Sequence, residues 1–512
     1  MSAGTGTVRL GRPAGRWVIL ATVLGSGMAM LDGTAVNVAL PTIGRELSAS
    51  LGGLQWIVSG YTLALAGLIL LGGSLGDRLG RRRVFVTGVV WFALASALCG
   101  LAPGTEVLIA ARVLQGVGGA LLVPGSLAII QASFAPQDRP RAIGAWSGLG
   151  GLFAAIGPLL GGWLVVSAGW RWVFLINLPV AVIVVAVAMR HVPETRDEQA
   201  TRKFDVLGAF LAALALAGIT FALIDGPGSG GSGTVIAAAV VGVAAGIGFV
   251  LLERARGRQD REDVPAPMLP LDVFASRQFT VINVITFCVY GAFGGMLFLL
   301  VLELQVSAGF SALAAGAALL PVTVLMLLLS PRSAALAQRT GPRWLIAAGI
   351  MICALGILLM LRISGRASYV ADVLPAVVAF GLGLCMVVAP LTATVLASAE
   401  VRHAGVASGV NNAVARAAGL LAVAGLPAAV GLRAASYHSP AMLDAGFHDA
   451  MIICAVLLFV AALLAATLVD NDVLRATPER PVARPMSTRM CAVEAPALQC
   501  DARHVSEART RA

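Results

Sequence analysis

The chain has 512 residues, of which 58% are hydrophobic and only 12% charged, with a mean hydropathy of +0.89 and a formal net charge of +10. That balance excludes a soluble globular protein of this length, and the repeated apolar runs near 20 residues read as transmembrane helices. The period-2 alternation of an outer-membrane barrel is absent, and the basic excess, all Arg except Lys203, follows the loops instead of marking a nucleic-acid surface.

Fourteen spans are predicted. Six centre near Met28, Leu65, Phe92, Gly118, Phe153 and Val180, two near Leu214 and Val241, and six near Ala292, Leu325, Met351, Leu384, Gly419 and Val460. This divides the chain into a cytoplasmic N-terminus (1–16), a six-helix bundle (17–190), a linker with two inserted spans (191–252), a second cytoplasmic linker (253–278), another six-helix bundle (279–470) and a tail (471–512). The tail is poor in large hydrophobes and is expected to be disordered. Arg9, Arg12 and Arg16 before an apolar run resemble a signal peptide, but no small-residue cleavage site follows, so the first span is read as uncleaved. Twenty-nine Lys and Arg residues fall in the termini and even-numbered connections, against five in the odd-numbered ones. Such asymmetry predicts a cytoplasmic-membrane protein with both termini cytoplasmic.

The first span carries the sharpest signal. Leu31–Pro41 reads LDGTAVNVALP and holds one carboxylate, Asp32. Asp32 lies roughly 22 Å up a helix starting at Trp17, inside a hydrocarbon layer about 30 Å thick. A carboxylate at that depth costs about 2.5–3.5 kcal/mol on insertion scales, and marks either a functional site or a structural pair. After the second span, Gly73, Asp77, Arg78, Gly80 and Arg81 form a glycine-rich turn that runs on into Arg82 and Arg83. Asp77 can pair with an Arg there as a breakable latch, while the arginines also fix topology.

In the fourth span Arg112 lies roughly 10 Å below the outer edge, at the depth of Asp32. The two charges either face each other as a switch, in which a change of access binds or releases a proton, or form a static buried salt bridge. The fifth span, from Gly148 to Gly162, has Gly150, Ala154, Gly157 and Gly161 on one face, with Pro158 to bend it.

These four blocks resemble, in order, signature motifs of the major facilitator superfamily, and the Gly148–Gly162 helix resembles the one associated with antiporters. Trp170-Arg171-Trp172-Val-Phe174-Leu-Ile-Asn177-Leu-Pro179, with the two extra spans, is similar to the fourteen-span drug:proton antiporters of the EmrB/QacA type. The resemblance covers roughly residues 15–470. It implies an all-α polytopic membrane protein with two six-helix bundles around a cavity and two inserted helices. It also implies alternating access, with drugs, antibiotics or similar small amphipathic compounds exported against entering protons. On this expectation Asp32 and Arg112 couple protons; Gly73, Asp77, Arg78, Gly80 and Arg81 form a cytoplasmic gate. Gly148, Gly157, Pro158, Gly161 and Gly162 carry the bending.

The second half matches less sharply. Gln338 stands where an echo of the Asp77 loop would carry an acid. Glu303 falls about 36 Å up its helix from Phe279 and is expected to be a solvated rim carboxylate. Asn37, Gln115, Asn283, Asn411 and Asn412 either line the cavity or bond between helices. Arg416, again at mid-depth, attracts either a carboxylate partner or an anionic substrate group. The alternative cargo is a single endogenous metabolite or self-made antibiotic. A membrane-embedded enzyme is disfavoured, because the five histidines fall in or beside loops or in the tail. A sensor is disfavoured too, because the tail has no recognisable output domain. No metal or cofactor is expected, since the cysteines lack metal-ligand spacing and the coupling ion is H+. The partners foreseen are the lipid bilayer and a small substrate, with no nucleic acid, and the chain is expected to work as a monomer.

Overall fold

A computed structural model describes residues 8–135, 137–196, 205–228, 232–258, 267–398, 404–433 and 439–474; the tail from 475, expected to be disordered, lies outside them. Among the described residues, fourteen helices are long and apolar enough to cross a membrane. In chain order they are α1 (Pro13–Glu46), α2 (Leu51–Leu79), α3 (Arg81–Gly100), α4 (Thr105–Ser133), α5 (Arg139–Ser167) and α6 (Arg171–His191). Then come α7 (Val206–Asp225), α8 (Gly233–Gly257), α9 (Arg277–Ser307), α10 (Ala312–Thr340), α11 (Pro342–Arg362), α12 (Tyr369–Ala397), α13 (Ala404–Ala429) and α14 (Pro440–Leu468). An even number of crossings puts both ends of the described chain on one side, here called the terminal side; the other is the far side.

Local chemistry sets several boundaries. Ser50, Ser276 and Ser311 cap α2, α9 and α10 by accepting the amides of Gly53, Phe279 and Ala314. The first helix starts at Pro13, earlier than Trp17, because proline costs nothing in a first turn. Two turns on the terminal side repeat one solution. Gly80 (φ +111°) joins α2 to α3 and Gly341 (φ +88°) joins α10 to α11. Both adopt backbone that side-chain-bearing residues avoid. The segment after the last helix of each half packs on its glycine: Glu194 at Gly80 and Asn471 at Gly341.

α1 to α6 form one bundle and α9 to α14 the other. They meet on the far side, where α5 packs on α10, α2 on α13 and α1 on α9. Side chains on Gly162 or Gly316 would collide with the backbone of α10 or α5 respectively, so the two helices touch almost backbone to backbone. Gln305 Nε2 donates to Val38 O (2.9 Å), Thr323 Oγ1 to Ala155 O (3.3 Å) and Gln55 Nε2 to Val423 O (2.7 Å).

The inserted pair is not passive. α7 packs against α2 and α13, one helix from each half, and Trp56 Nε1 donates to Asp225 Oδ2 at 3.0 Å. α8 leans on α7 and leaves most of its surface outward, as a lipid-facing helix should. On the terminal side Asp205 caps α7 and pairs with Arg256. Burial works to raise the Asp205 carboxyl, but its hydrogen bonds with Glu253, Arg256 and Gly208, and the Arg256 charge, hold it below the usual carboxylate range. Glu253, assigned from sequence to the linker, lies within α8 and accepts the Leu269 amide at 2.8 Å.

Candidate functional site

Asp32 is fully buried in the first bundle, and four helices converge on it. Arg112 Nη1 of α4 pairs directly with Asp32 Oδ2, so the two charges at equal depth are in contact and not across a cavity. Gln115 Nε2, one turn along α4, donates to Asp32 Oδ1 at 2.9 Å and to Ser96 Oγ of α3 at 2.6 Å. Asn177 Nδ2 of α6 donates to the same two oxygens at 3.2 Å each. Asn177 reaches inward from a break in α6, where the helix of Arg171–Leu175 ends and that of Asn177–His191 begins. Arg112 also donates through Nε to Ile57 O (3.1 Å), accounting for a lone pair on α2, and its guanidinium lies 4.3 Å from the Tyr61 ring centroid.

Every hydrogen-bonding partner of the Asp32 carboxylate is a donor, and Arg112, Gln115, Asn177 and Ser96 are themselves at most 1% exposed. Such a network resists loss of any member. A proton added to Asp32 would meet donors on all sides, so accepting it requires the cluster to rearrange.

The residues expected to line a cavity divide four ways. Gln115 belongs to the charge cluster and lines no opening, because Asp32, Arg112 and Ser96 claim all of its amide. Asn37 is turned back on its own helix, donating to Gly33 O at 3.0 Å. Asn283 is buried and holds Asn411, whose Nδ2 donates to Asn283 Oδ1 (3.1 Å) and Thr286 Oγ1 (2.8 Å). Asn411, Asn412 and Arg416 do face a cavity of about 320 Å³ on the terminal side, with Tyr290, Thr392 and Ser408. A larger hollow of about 420 Å³ lies on the inserted pair and is lined by apolar residues such as Ile219 and Val250.

The stretch 73–83, expected to form a gate, is tied to its own bundle. Arg81 pairs with Asp77 at 2.8 Å, while Arg82 and Arg83 approach Glu194 at 3.6 and 3.7 Å. Gly73 packs by Pro124 of α4. In α5, side chains on Gly157 or Gly161 would run into Thr34 or Ala35 of α1, and one on Gly162 into α10, while Gly148 has open space around it. The helix runs through Pro158 without ending.

Glu303 corrects the expectation of a solvated rim carboxylate. It is fully buried, at the start of a π-helical turn (Glu303–Ser307) that ends α9. Ser307 Oγ donates to Oε2 at 2.8 Å, while Oε1 has no hydrogen-bond partner. The Asp444 carboxyl of α14 lies within hydrogen-bonding reach, and its Oδ1 is likewise without one. Distance along α9 says nothing of α14, which folds over the turn. His448, expected beside a loop, stands two turns inside α14, its Nε2 2.9 Å from Ile363 O. Among the described residues, no group of three or more His, Cys, Asp or Glu could hold a metal ion.

The sequence pattern of the Major Facilitator Superfamily matches residues 22–423, from the first span to the thirteenth. The chain belongs to that superfamily. Among its relatives are the probable actinorhodin transporter of Streptomyces coelicolor, 36% identical over 411 residues covering 78% of this chain and 70% of that one. The multidrug resistance protein Stp of Mycobacterium tuberculosis is 36% identical over 406 residues, 77% of this chain and 72% of the other. The fold resembles the crystal structure of a bacterial homolog of the human lysosomal transporter Spinster, in an inward-facing, unoccupied conformation. That match has a TM-score of 0.63 at 18% identity and covers 91% of this chain and 99% of the other. As a superfamily member with fourteen spanning helices, the protein is a multi-pass membrane transporter.

Proposed function

We propose that the protein exports drugs, antibiotics or similar small amphipathic compounds across the cytoplasmic membrane in exchange for protons. Relatives at about one-third identity, named for antibiotic transport and multidrug resistance, support the cargo. The observation that carries the coupling is the Asp32 cluster: a carboxylate at mid-depth, fully buried, whose partners come from α4 and α6 and therefore move with the bundle. On the positive-inside count the terminal side is cytoplasmic, so the closed far-side seam and the terminal-side cavity describe an inward-facing state. The fourteen spans fit the drug:proton antiporters of the EmrB/QacA type.

In the cycle, the far side opens, water reaches Asp32, and protonation releases it from Arg112 while substrate leaves. Closure of the seam returns the carrier inward, where Arg112 and Gln115 recapture the carboxylate, the proton leaves, and substrate enters the cavity. In inverted vesicles with an acidic lumen, a transported drug should release lumenal protons through the wild type and not through Asp32→Asn. Wild-type proton exchange by that variant, present at equal amount in the membrane, would reject the assignment.

A further inference from the structure

The terminal-side cavity carries one permanent charge and, among the described residues, nothing to balance it. Arg416, twelve residues into α13, lines it with Tyr290 of α9, Thr392 of α12, and Ser408, Asn411 and Asn412 of α13. Its Nε is enclosed with no hydrogen-bond partner, and no described carboxylate lies within salt-bridge reach. The titratable side chains near it are two phenols, Tyr61 and Tyr290, which carry no countercharge. The contrast with Arg112 is direct. There Asp32, Gln115 and the Ile57 carbonyl answer the guanidinium. Asp32 is so enclosed that it contributes no accessible negative charge to the cavity.

Withdrawing an arginine from water without an anion is costly, and an ammonium or guanidinium left so is a strong attractor for any acid that enters. The amide hydrogens of Asn411 are committed to Asn283 and Thr286, and one of Asn412's supplies Ser408 O, so Arg416 is the one charged donor on this wall. We propose that Arg416 is an anion subsite, and that the cavity takes drug-sized aromatic or amphipathic acids through a carboxylate, phenolate or enolate. A hydrophobic body would rest on Val395, Leu396 and the Tyr290 ring, with the acid group on the guanidinium. The Tyr61 ring carries Arg112 of the Asp32 cluster at 4.3 Å. The proposal rests on the exporter reading for its meaning but not for its test.

The test is binding to the purified protein in lipid nanodiscs, measured by fluorescence for several aromatic acids, each paired with its methyl ester, with transport assayed separately. The acids should bind about tenfold or more tighter than their esters, as for a charge-assisted hydrogen bond in a partly enclosed site. Arg416→Gln should erase the difference, and Arg416→Lys should keep part of it. Esters binding as well as acids, failure of every acid to bind, or an unchanged preference in Arg416→Gln overturns the proposal. Should the Gln variant not fold, the wild-type acid–ester comparison and the Lys variant decide. Drug-driven proton exchange with esters or cations alone would sink the anion subsite and leave the exporter standing.

Discussion

A buried charge pair is informative because it is a poor way to make a protein stable. Desolvating two ions offsets much of their attraction, so a well-packed apolar pair often does as well. Asp32 and Arg112 are retained with four further polar groups around them, each with a partner in hand. Removing one member should therefore be worse than removing both charges. Arg112→Leu strands an anion and should cost about 3–5 kcal/mol. Asp32→Asn with Arg112→Gln leaves neutral groups that still hydrogen-bond, and should melt closer to wild type in detergent. Equal losses in the two proteins would show that the charge itself is not what the fold must balance. The sequence displayed Asp32 and Arg112 because ionised side chains stand out in an apolar run. Asn177, Ser96 and Tyr61 were invisible as site members, being uncharged residues common in membrane helices, although a depth estimate for Asn177 could have raised the question. Glu303 was misread because its enclosure comes from α14, some 140 residues further along the chain.

At the scale of helices, prolines and their neighbours explain contacts that hydropathy cannot. Pro158 has no amide hydrogen, so the Ala154 carbonyl one turn earlier loses its partner in α5. Thr34 Oγ1 of α1 donates to that oxygen at 2.9 Å, nearer than the two acceptors on its own helix at 3.1 and 3.2 Å. Pro427 in α13 likewise frees the Val423 carbonyl, and Gln55 of α2 takes it at 2.7 Å. Proline-bearing helices here are held by side chains from helices they pack on, one within a half and one across the seam. Thr34→Val should cost about 1–3 kcal/mol, the price of an unpaired carbonyl in an apolar setting. In a Pro158→Ala background the new amide can take Ala154 O, so the same substitution should cost less. A double-mutant cycle on thermal midpoints measures the difference, and simple additivity would contradict this account. The spans themselves were legible from apolar length alone. The break at Ile176 and the π-helical turn at Glu303 were not, since both depend on what packs against them.

For the whole molecule, the division into six, two and six helices could be read from linkers and charge, because topology in a membrane is fixed by where arginines fall. Which surfaces the halves use to meet could not. The small-residue face of α5 announced a close contact, and it serves two partners: Gly157 and Gly161 lie on α1, while Gly162 lies on α10. α7 joins that seam from outside, touching α2 and α13 together. A transporter of this kind needs the far-side surface to be tight enough to seal and weak enough to part. Backbone contact with few side chains meets both demands, because it excludes water through fit and leaves little to unbind. Gly162 is the position where this can be tested. A side chain there would lie 2.8 Å from Leu313 Cα and collide with the Ala312 carbonyl, and neither backbone atom can give way alone. Gly162→Val should hold α5 and α10 apart and shift the population toward far-side opening. With the native cysteines replaced, a cysteine at Thr323, beside Ala155 on the seam, should react faster with an impermeant thiol reagent from the far side in the Val variant. One at Asn412, in the terminal-side cavity, should react more slowly from the other face. Labelling of both unchanged by Gly162→Val, in protein that still folds, would mean that the α5–α10 contact is not the surface that closes.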